Sequence, residues 1–345
     1  MTRGDRQWPT HCRAFVVDKG ESGTAGNIRQ HALPAGGGGE VLVRIAYSAL
    51  NYKDALVLRG ARGIASSYPH VPGIDAAGVV EASSGSPDWV GQQVLVTGFG
   101  LGVERAGGWS EYLVVPEDWL VRIPSSLSML DSMILGTAGL TAALSIEALF
   151  EGRVRSGDPV LVTGATGGVG SHAVAILASL GLRVTASSRK PEAASYLRDL
   201  GAHEVSHPDA LAVPGGKALA HPRWQGAVDT VGGEALADIL KQTADEGVVA
   251  LCGMAGGTHF HSSVFPFILR GVRLTGIDSV HVSLARRVAL WEKLAGPWKP
   301  RRLAAMSTII PLSDVAKAAE RVLSGTQTGR VVVRVGADPE RPGTP

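Results

Sequence analysis

The stretch VLVTGATGGVGSHAVAILASLGLRVTASSRK, Val160 to Lys190, decides the fold. A short apolar run leads into glycines at Gly164, Gly167, Gly168 and Gly170, then a helical pattern to Leu180 and a second apolar run. A glycine-rich turn alone is a weak signal, because helix ends and tight turns also use glycine. Strand, glycine loop, helix and second strand within about 30 residues form a dinucleotide-binding unit. Small residues permit the tight turn and let the backbone approach a pyrophosphate, whose charge then faces the helix N-terminus.

The end of the second strand selects the nucleotide. An NAD site places Asp or Glu there to accept from the ribose 2′-hydroxyl. This chain has Ser187, Ser188, Arg189 and Lys190 instead. A guanidinium clamps a 2′-phosphate with charge-assisted hydrogen bonds, whereas a carboxylate would repel it. The expected cofactor is NADPH.

Downstream, strand-like and helix-like segments continue to alternate: GAVDTVG, EALADILKQT, GVVALCG and VRLTGIDS. Such alternation predicts a doubly wound α/β domain with a parallel sheet. Upstream, from Cys12 to about Leu130, short strands separated by glycine and proline clusters predict a mostly β domain. The chain ends in a strand, the helix LSDVAKAAERVL and the strand GRVVVRV, which are expected to return to the first domain. We therefore expect a catalytic domain over residues 1–131 and 304–345 and a cofactor domain over 132–303.

At 345 residues, two domains are the natural expectation. A net charge of +2 gives no reason to expect nucleic acid or a membrane surface, and no apolar run approaches the length of a membrane span. Two distant cysteines, Cys12 and Cys252, exclude a disulfide framework and suit a reducing cytoplasm. The opening MTRGDRQWPTHCR lacks the apolar segment of a signal peptide, and the closing ADPERPGTP is expected to fray.

One further stretch stands out: SALNYKDALVLRG, Ser48 to Gly60, sets Asn51, Tyr52, Lys53 and Asp54 in a row at a strand-to-helix junction. A cap needs one of them. The remaining polar side chains ask for another role.

NYKDAL, PHVPGIDAAGVV, GTAGLTA, VTGATGGVGS, DTVGG, CGMAGG and PFILRGVRLTGIDSV together resemble the medium-chain dehydrogenase/reductase superfamily, in its quinone-oxidoreductase-like branch and most closely the acrylyl-CoA reductases. The resemblance implies a GroES-like catalytic domain beside a Rossmann domain, and a homodimer joined near Phe267 to Asp278. Zinc members of the superfamily carry a Gly-His-Glu motif where this chain reads Gly73-Ile74-Asp75, and their first metal ligand falls within Asn51 to Asp54. No metal site is expected, since zinc needs a cluster of Cys, His or carboxylate ligands. His11 and His70 read as surface or cap residues.

The resemblance also implies roles. Asn51 and Tyr52 are the catalytic candidates, lining the nicotinamide pocket, with Tyr52 a possible donor to the substrate and Lys53 paired to Asp54. Thr166, Gly167, Gly168 and Val169 contact the pyrophosphate, and Ser187, Ser188 and Arg189 the 2′-phosphate. Cys252, Gly253 and Met254, then Ile277 and Asp278, pass beside the nicotinamide. Arg330 contacts cofactor or substrate, or else is a salt-bridged strand residue. Relatives carry Ser-Gly-Arg where this chain has Ser187-Ser188-Arg189.

Without a metal to act as Lewis acid, reduction of an activated C=C bond suits the site better than alcohol oxidation. Hydride adds to the β-carbon, and the charge passes to a carbonyl oxygen that hydrogen-bond donors can hold. The expected substrate is acrylyl-CoA or a short 2-enoyl thioester. A quinone or general enone reductase is the alternative among enzymes, and a non-catalytic NADPH-binding sensor the alternative of another class. Basic residues to receive the phosphates of coenzyme A are scattered: Arg59, Arg62, Arg153 and Arg155.

Overall fold

The computed structural model describes residues 8–21 and 23–338. Most of the closing ADPERPGTP, residues 339–345, and the start of the N-terminal segment, residues 1–7, lie outside the described residues. The chain divides into two compact units, one holding Ala138–Ser279 and Gly296–Arg302, the other the remainder.

In the second unit, β8 (Pro159–Val162), β9 (Arg183–Ser187), β10 (Glu204–Ser206), β11 (Trp224–Asp229), β12 (Thr243–Leu251) and β13 (Arg273–Gly276) form one sheet in the order β10-β9-β8-β11-β12-β13. Every pairing is parallel. The order reverses between β8 and β11, the switch point outside which doubly wound sheets bind ligands. Helix α3 (Gly168–Ser179) follows β8 directly and is almost wholly buried. Its Val174, Ile176 and Leu177 are fully buried, as are Val160, Leu161 and Val162 of β8, so both elements read as continuous apolar runs.

The first unit is built on β3 (Glu40–Leu50), which lies against β15 (Arg330–Arg334), β4 (Asp75–Ser83) and β6 (Tyr112–Pro116). The sheet continues through β5 (Gln93–Thr97) and β7 (Val121–Arg122), and β14 (Ser307–Pro311) joins it beyond β15. The last strand of the chain thus pairs antiparallel with β3, as expected of a returning segment. Helix α1 (Tyr52–Leu58) packs on α8 (Val315–Leu323) through Ala55, Leu312, Val315, Ala318 and Ala319 of one apolar cluster.

Four features depart from expectation. A hairpin of β1 (His11–Gly20) and β2 (Gly23–Ala32) opens the fold, and β2 carries no apolar alternation because nearly all of it is exposed. Helix α7 (Leu284–Ala295) falls in the first unit although the sequence assigns it to the second. Arg287 explains this: its buried guanidinium donates to Thr97 Oγ1 at 2.9 Å and lies 4.5 Å from the Phe99 ring centroid. The unit boundary falls at Thr137, inside α2 (Met129–Glu151). Contrary to the sequence reading, α2 is long and apolar enough to cross a bilayer by length and composition; most of it is buried in the protein, and Gly136 interrupts it.

Candidate active site

Asn51 caps α1 from an extended conformation (φ −116°, ψ 164°). A helix that short needs its first turn held, and Asp54, three residues on, does it: its Oδ2 accepts the Asn51 N–H at 2.8 Å. Oδ1 accepts the N–H groups of Gly73 (3.0 Å) and Ile74 (2.9 Å). Asp54 therefore ties the helix start to the segment before β4 and does not pair with Lys53, which corrects the expectation. Residues 51 and 54 share one side of the helix, so both turn inward, while Tyr52 stands 39 % exposed.

Asp75 opens β4 and is fully buried. Its Oδ1 accepts Thr137 N–H (2.9 Å) and Thr137 Oγ1 (2.5 Å); its Oδ2 accepts Asn51 Nδ2 (2.8 Å) and Arg330 Nη2 (3.3 Å). Arg330 is 3 % exposed, and its Nη1 donates to Asn51 Oδ1 at 2.9 Å and to Leu50 O at 3.3 Å, its Nε to Ile134 O at 3.1 Å. The guanidinium is thus committed to a buried ion pair and carbonyls. Of the two roles weighed for Arg330, the geometry is that of the salt-bridged strand residue, because its donors all face protein acceptors. Asn51 keeps one of its two amide hydrogens outside this network.

Gly136 makes the arrangement possible. Its φ of 50° and ψ of −155° suit glycine, and a Cβ there would meet Asp75 Oδ2 at 2.5 Å and Arg330 Nη2 at 2.9 Å. Gly136 and Thr137 were absent from the residues singled out in the sequence, and Asp75 was named there only for the metal motif it replaces. The signal was present: PGID and GTAG were both quoted as motifs, but nothing in them shows that they meet.

Burial raises the Asp54 carboxyl to about 7, with the Asp75 charge adding to the rise and the three backbone N–H bonds opposing it. The unfolded carboxyl ionises near 4. Between about pH 4 and 7 the unfolded chain therefore sheds this proton while the folded chain keeps it, so the contribution of Asp54 to stability falls as pH rises through that window. Thermal unfolding of the wild type against Asp54→Asn should show the wild type losing ground from pH 4 to 7. A difference independent of pH would remove the titration from Asp54.

The second unit gathers the remaining candidates at the carboxyl ends of its strands. Thr166, Gly167, Gly168 and Val169 join β8 to α3, whose N-terminus has no side-chain cap. Its first-turn amides are therefore offered to an anion. Gly170 must lack a side chain, since a Cβ would strike the carbonyl of Gly164. The loop is braced from β11, where buried Asp229 accepts from Thr163 Oγ1 (2.5 Å) and the N–H groups of Val231 (3.1 Å) and Gly232 (3.0 Å).

At the end of β9, the Ser187 hydroxyl is buried with no partner among the described residues, Ser188 Oγ accepts Lys190 N–H at 3.0 Å, and Arg189 is exposed. An orphaned hydroxyl and an exposed guanidinium beside an uncapped glycine loop fit the 2′-phosphate and pyrophosphate of NADPH. Cys252, Gly253 and Met254 follow β12, and Ile277 and Asp278 follow β13, with Ile277 N–H bonded to Leu251 O at 2.9 Å. Burial pushes the Cys252 thiol up to about 12, the Asp229 charge adding to it, so it stays protonated and is no nucleophile. His70 is buried, not at the surface, with its backbone paired to Val17 in both directions.

Residues 37–125 match the alcohol dehydrogenase GroES-like domain family, and residues 168–292 the zinc-binding dehydrogenase family. Acrylyl-CoA reductase AcuI of Ruegeria pomeroyi is 43 % identical over 327 residues, 94 % of this chain and 99 % of that protein. YhfP of Bacillus subtilis (strain 168), provisionally named a quinone oxidoreductase, is 44 % identical over 310 residues, 89 % of this chain and 93 % of its own; it has been solved with NAD bound. The yhdH oxidoreductase of Salmonella enterica, solved in complex with NADP, superposes with a TM-score of 0.89 at 40 % identity, covering 94 % of this chain and 100 % of that one. Among the described residues, no three His, Cys, Asp or Glu side chains converge as a metal site would require.

Proposed function

The chain belongs to the medium-chain dehydrogenase/reductase superfamily, beside the quinone oxidoreductases and acrylyl-CoA reductases, and on that premise we propose that it reduces the activated C=C bond of a short 2-enoyl-CoA, acrylyl-CoA above all, using NADPH and no zinc. The observation that carries the reading is the buried pair of Asp75 and Arg330. Asp75 stands where zinc relatives carry the last residue of their Gly-His-Glu motif, and its carboxylate is committed to Arg330, Asn51 and Thr137 instead.

NADPH would be held by Thr166 to Val169 at the pyrophosphate and by Ser187 to Arg189 at the 2′-phosphate, and when bound it supplies the hydride that adds to the β-carbon of the alkene. The first unit has to hold the thioester carbonyl, where charge collects, and let a proton reach the α-carbon. Tyr52 is proposed to wall the substrate position and to offer its hydroxyl to that carbonyl. Asn51, fixed by Asp75 and Arg330, sets the direction in which α1 presents Tyr52, and its uncommitted amide hydrogen is the second donor. The Asp54 bonds to Gly73 and Ile74 keep that helix start from swinging.

Reduction of quinones or free enones is the second reading, favoured by the provisional name of YhfP. Turnover of NADPH with acrylyl-CoA beside 1,4-benzoquinone and simple enones separates the two: a higher kcat/KM for the quinone would transfer the assignment. A soluble cytoplasmic homodimer belongs to the same proposal. Its support is the open edge of β13 next to the exposed apolar side chains Val264, Phe265, Ile268 and Leu269 on and beside α6 (Phe265–Arg270). A sedimentation mass of one 35.8 kDa chain would refute it.

A further inference from the structure

The four arginines that could meet the phosphates of coenzyme A are not equivalent in the folded chain. Arg153 forms an ion pair with Glu246. Arg155 is spent on backbone, its Nη1 donating to the carbonyls of Gly152 (2.8 Å) and Val154 (2.7 Å). Arg59 and Arg62 are both exposed, and among the described residues neither side chain has an ion pair or a hydrogen bond. The same holds for half-buried Lys53.

Their own stretch of chain is one-signed. From Asn51 to Val80 the only acidic residues are Asp54 and Asp75, and both are fully buried. The exposed charge of this stretch is therefore wholly positive. A cation at the end of a helix is ordinary, since the C-terminal dipole favours it, and that accounts for Arg59, the C-cap of α1. It does not account for Arg62 or Lys53.

The helix supplies a direction. Tyr52, Leu56 and Arg59 are four and three residues apart, so they lie along one face. Seven residues of α-helix advance about 10 Å, which is shorter than an extended pantetheine arm. We infer that Arg59 and Arg62 recognise the phosphates of a coenzyme A thioester whose acyl end lies at Tyr52, the arm running along this face of α1. The inference rests on the thioester reading proposed above. It adds where the nucleotide end of the substrate goes and why the chain prefers a thioester of coenzyme A to a small enone.

The test is calorimetric binding of coenzyme A and of pantetheine to the whole protein saturated with NADP+, so that the glycine loop cannot take the ligand. The wild type should bind coenzyme A more tightly than pantetheine, and raising the salt should narrow the gap. Arg59→Ala/Arg62→Ala should weaken coenzyme A roughly 10- to 30-fold, as loss of exposed charge-assisted bonds implies, with pantetheine unaffected. The same variant should lose acrylyl-CoA in KM and not in kcat. Arg301→Ala, which removes an exposed charge from the second unit, is the control and should change neither ligand. No measurable binding of coenzyme A to the wild type, equal binding to the double variant, or an equal loss in the control would overturn the inference. Binding that depends on Arg59 and Arg62 in a protein unable to reduce any thioester would uphold this site while refuting the proposed reaction.

Discussion

Arg330→Met should destabilise the protein by about 3–5 kcal/mol, the usual cost of leaving one member of a buried ion pair alone. Arg330 is 3 % exposed and Asp75 fully buried, so neither charge can turn to water when the other is lost. The damage should spread beyond the pair. Arg330 also satisfies the Ile134 and Leu50 carbonyls and the Asn51 amide, at distances of 2.9 to 3.3 Å, so its removal strands several acceptors at once. The double variant Arg330→Met/Asp75→Leu should recover much of the loss, because two apolar side chains need no counter-charge. Thermal unfolding of the three proteins checks this. Arg330→Met within about 0.5 kcal/mol of the wild type, the range of an ordinary surface substitution, would mean that the pair holds nothing together.

Arg189→Ala should raise the KM for NADPH by roughly tenfold to a hundredfold and leave that for NADH nearly unchanged. The proposed phosphate contact is charge-assisted, and such bonds are worth about 1.5–3 kcal/mol. Arg189 is exposed, so screening puts the effect towards the lower end. Ser187 adds a hydroxyl that is already desolvated and lacks a partner; bonding it to a phosphate oxygen removes a penalty that the free protein carries. Since YhfP has been solved with NAD, the ratio of the two cofactors is the informative quantity. Equal losses for NADPH and NADH would take the 2′-phosphate role away from Arg189.

The α/β unit was legible in the sequence because each step there is local. Val160 to Lys190 contains a strand, its loop, a helix and the next strand, all within one run of chain. The returning strand at Arg330 was legible too, from the absence of any further α/β unit after it. The hairpin strand β2 was not, because an outer strand exposed on both sides needs no apolar alternation.

The site in the first unit was only half legible. The row Asn51 to Asp54 stood out as oversupplied with polar groups, yet its division could not be read, since helical geometry sends Asn51 and Asp54 inward and leaves Tyr52 outside. Arg330 and Asp75 lie 255 positions apart, and their pairing depends on the antiparallel run of β15, β3 and β4. Gly136 looked like one more residue of an apolar helix. Only the folded chain shows that its missing side chain makes room for the ion pair.

The central claim is that the chain adds hydride and a proton across an activated C=C bond, and isotope labelling of the product tests it most directly. With acrylyl-CoA and unlabelled NADPH in D2O, mass spectrometry should find propionyl-CoA carrying one deuterium, at the α-carbon, formed in equal number to the NADPH consumed. NADPH consumed without saturated thioester, or no reaction with acrylyl-CoA beside rapid reduction of a quinone, would contradict it.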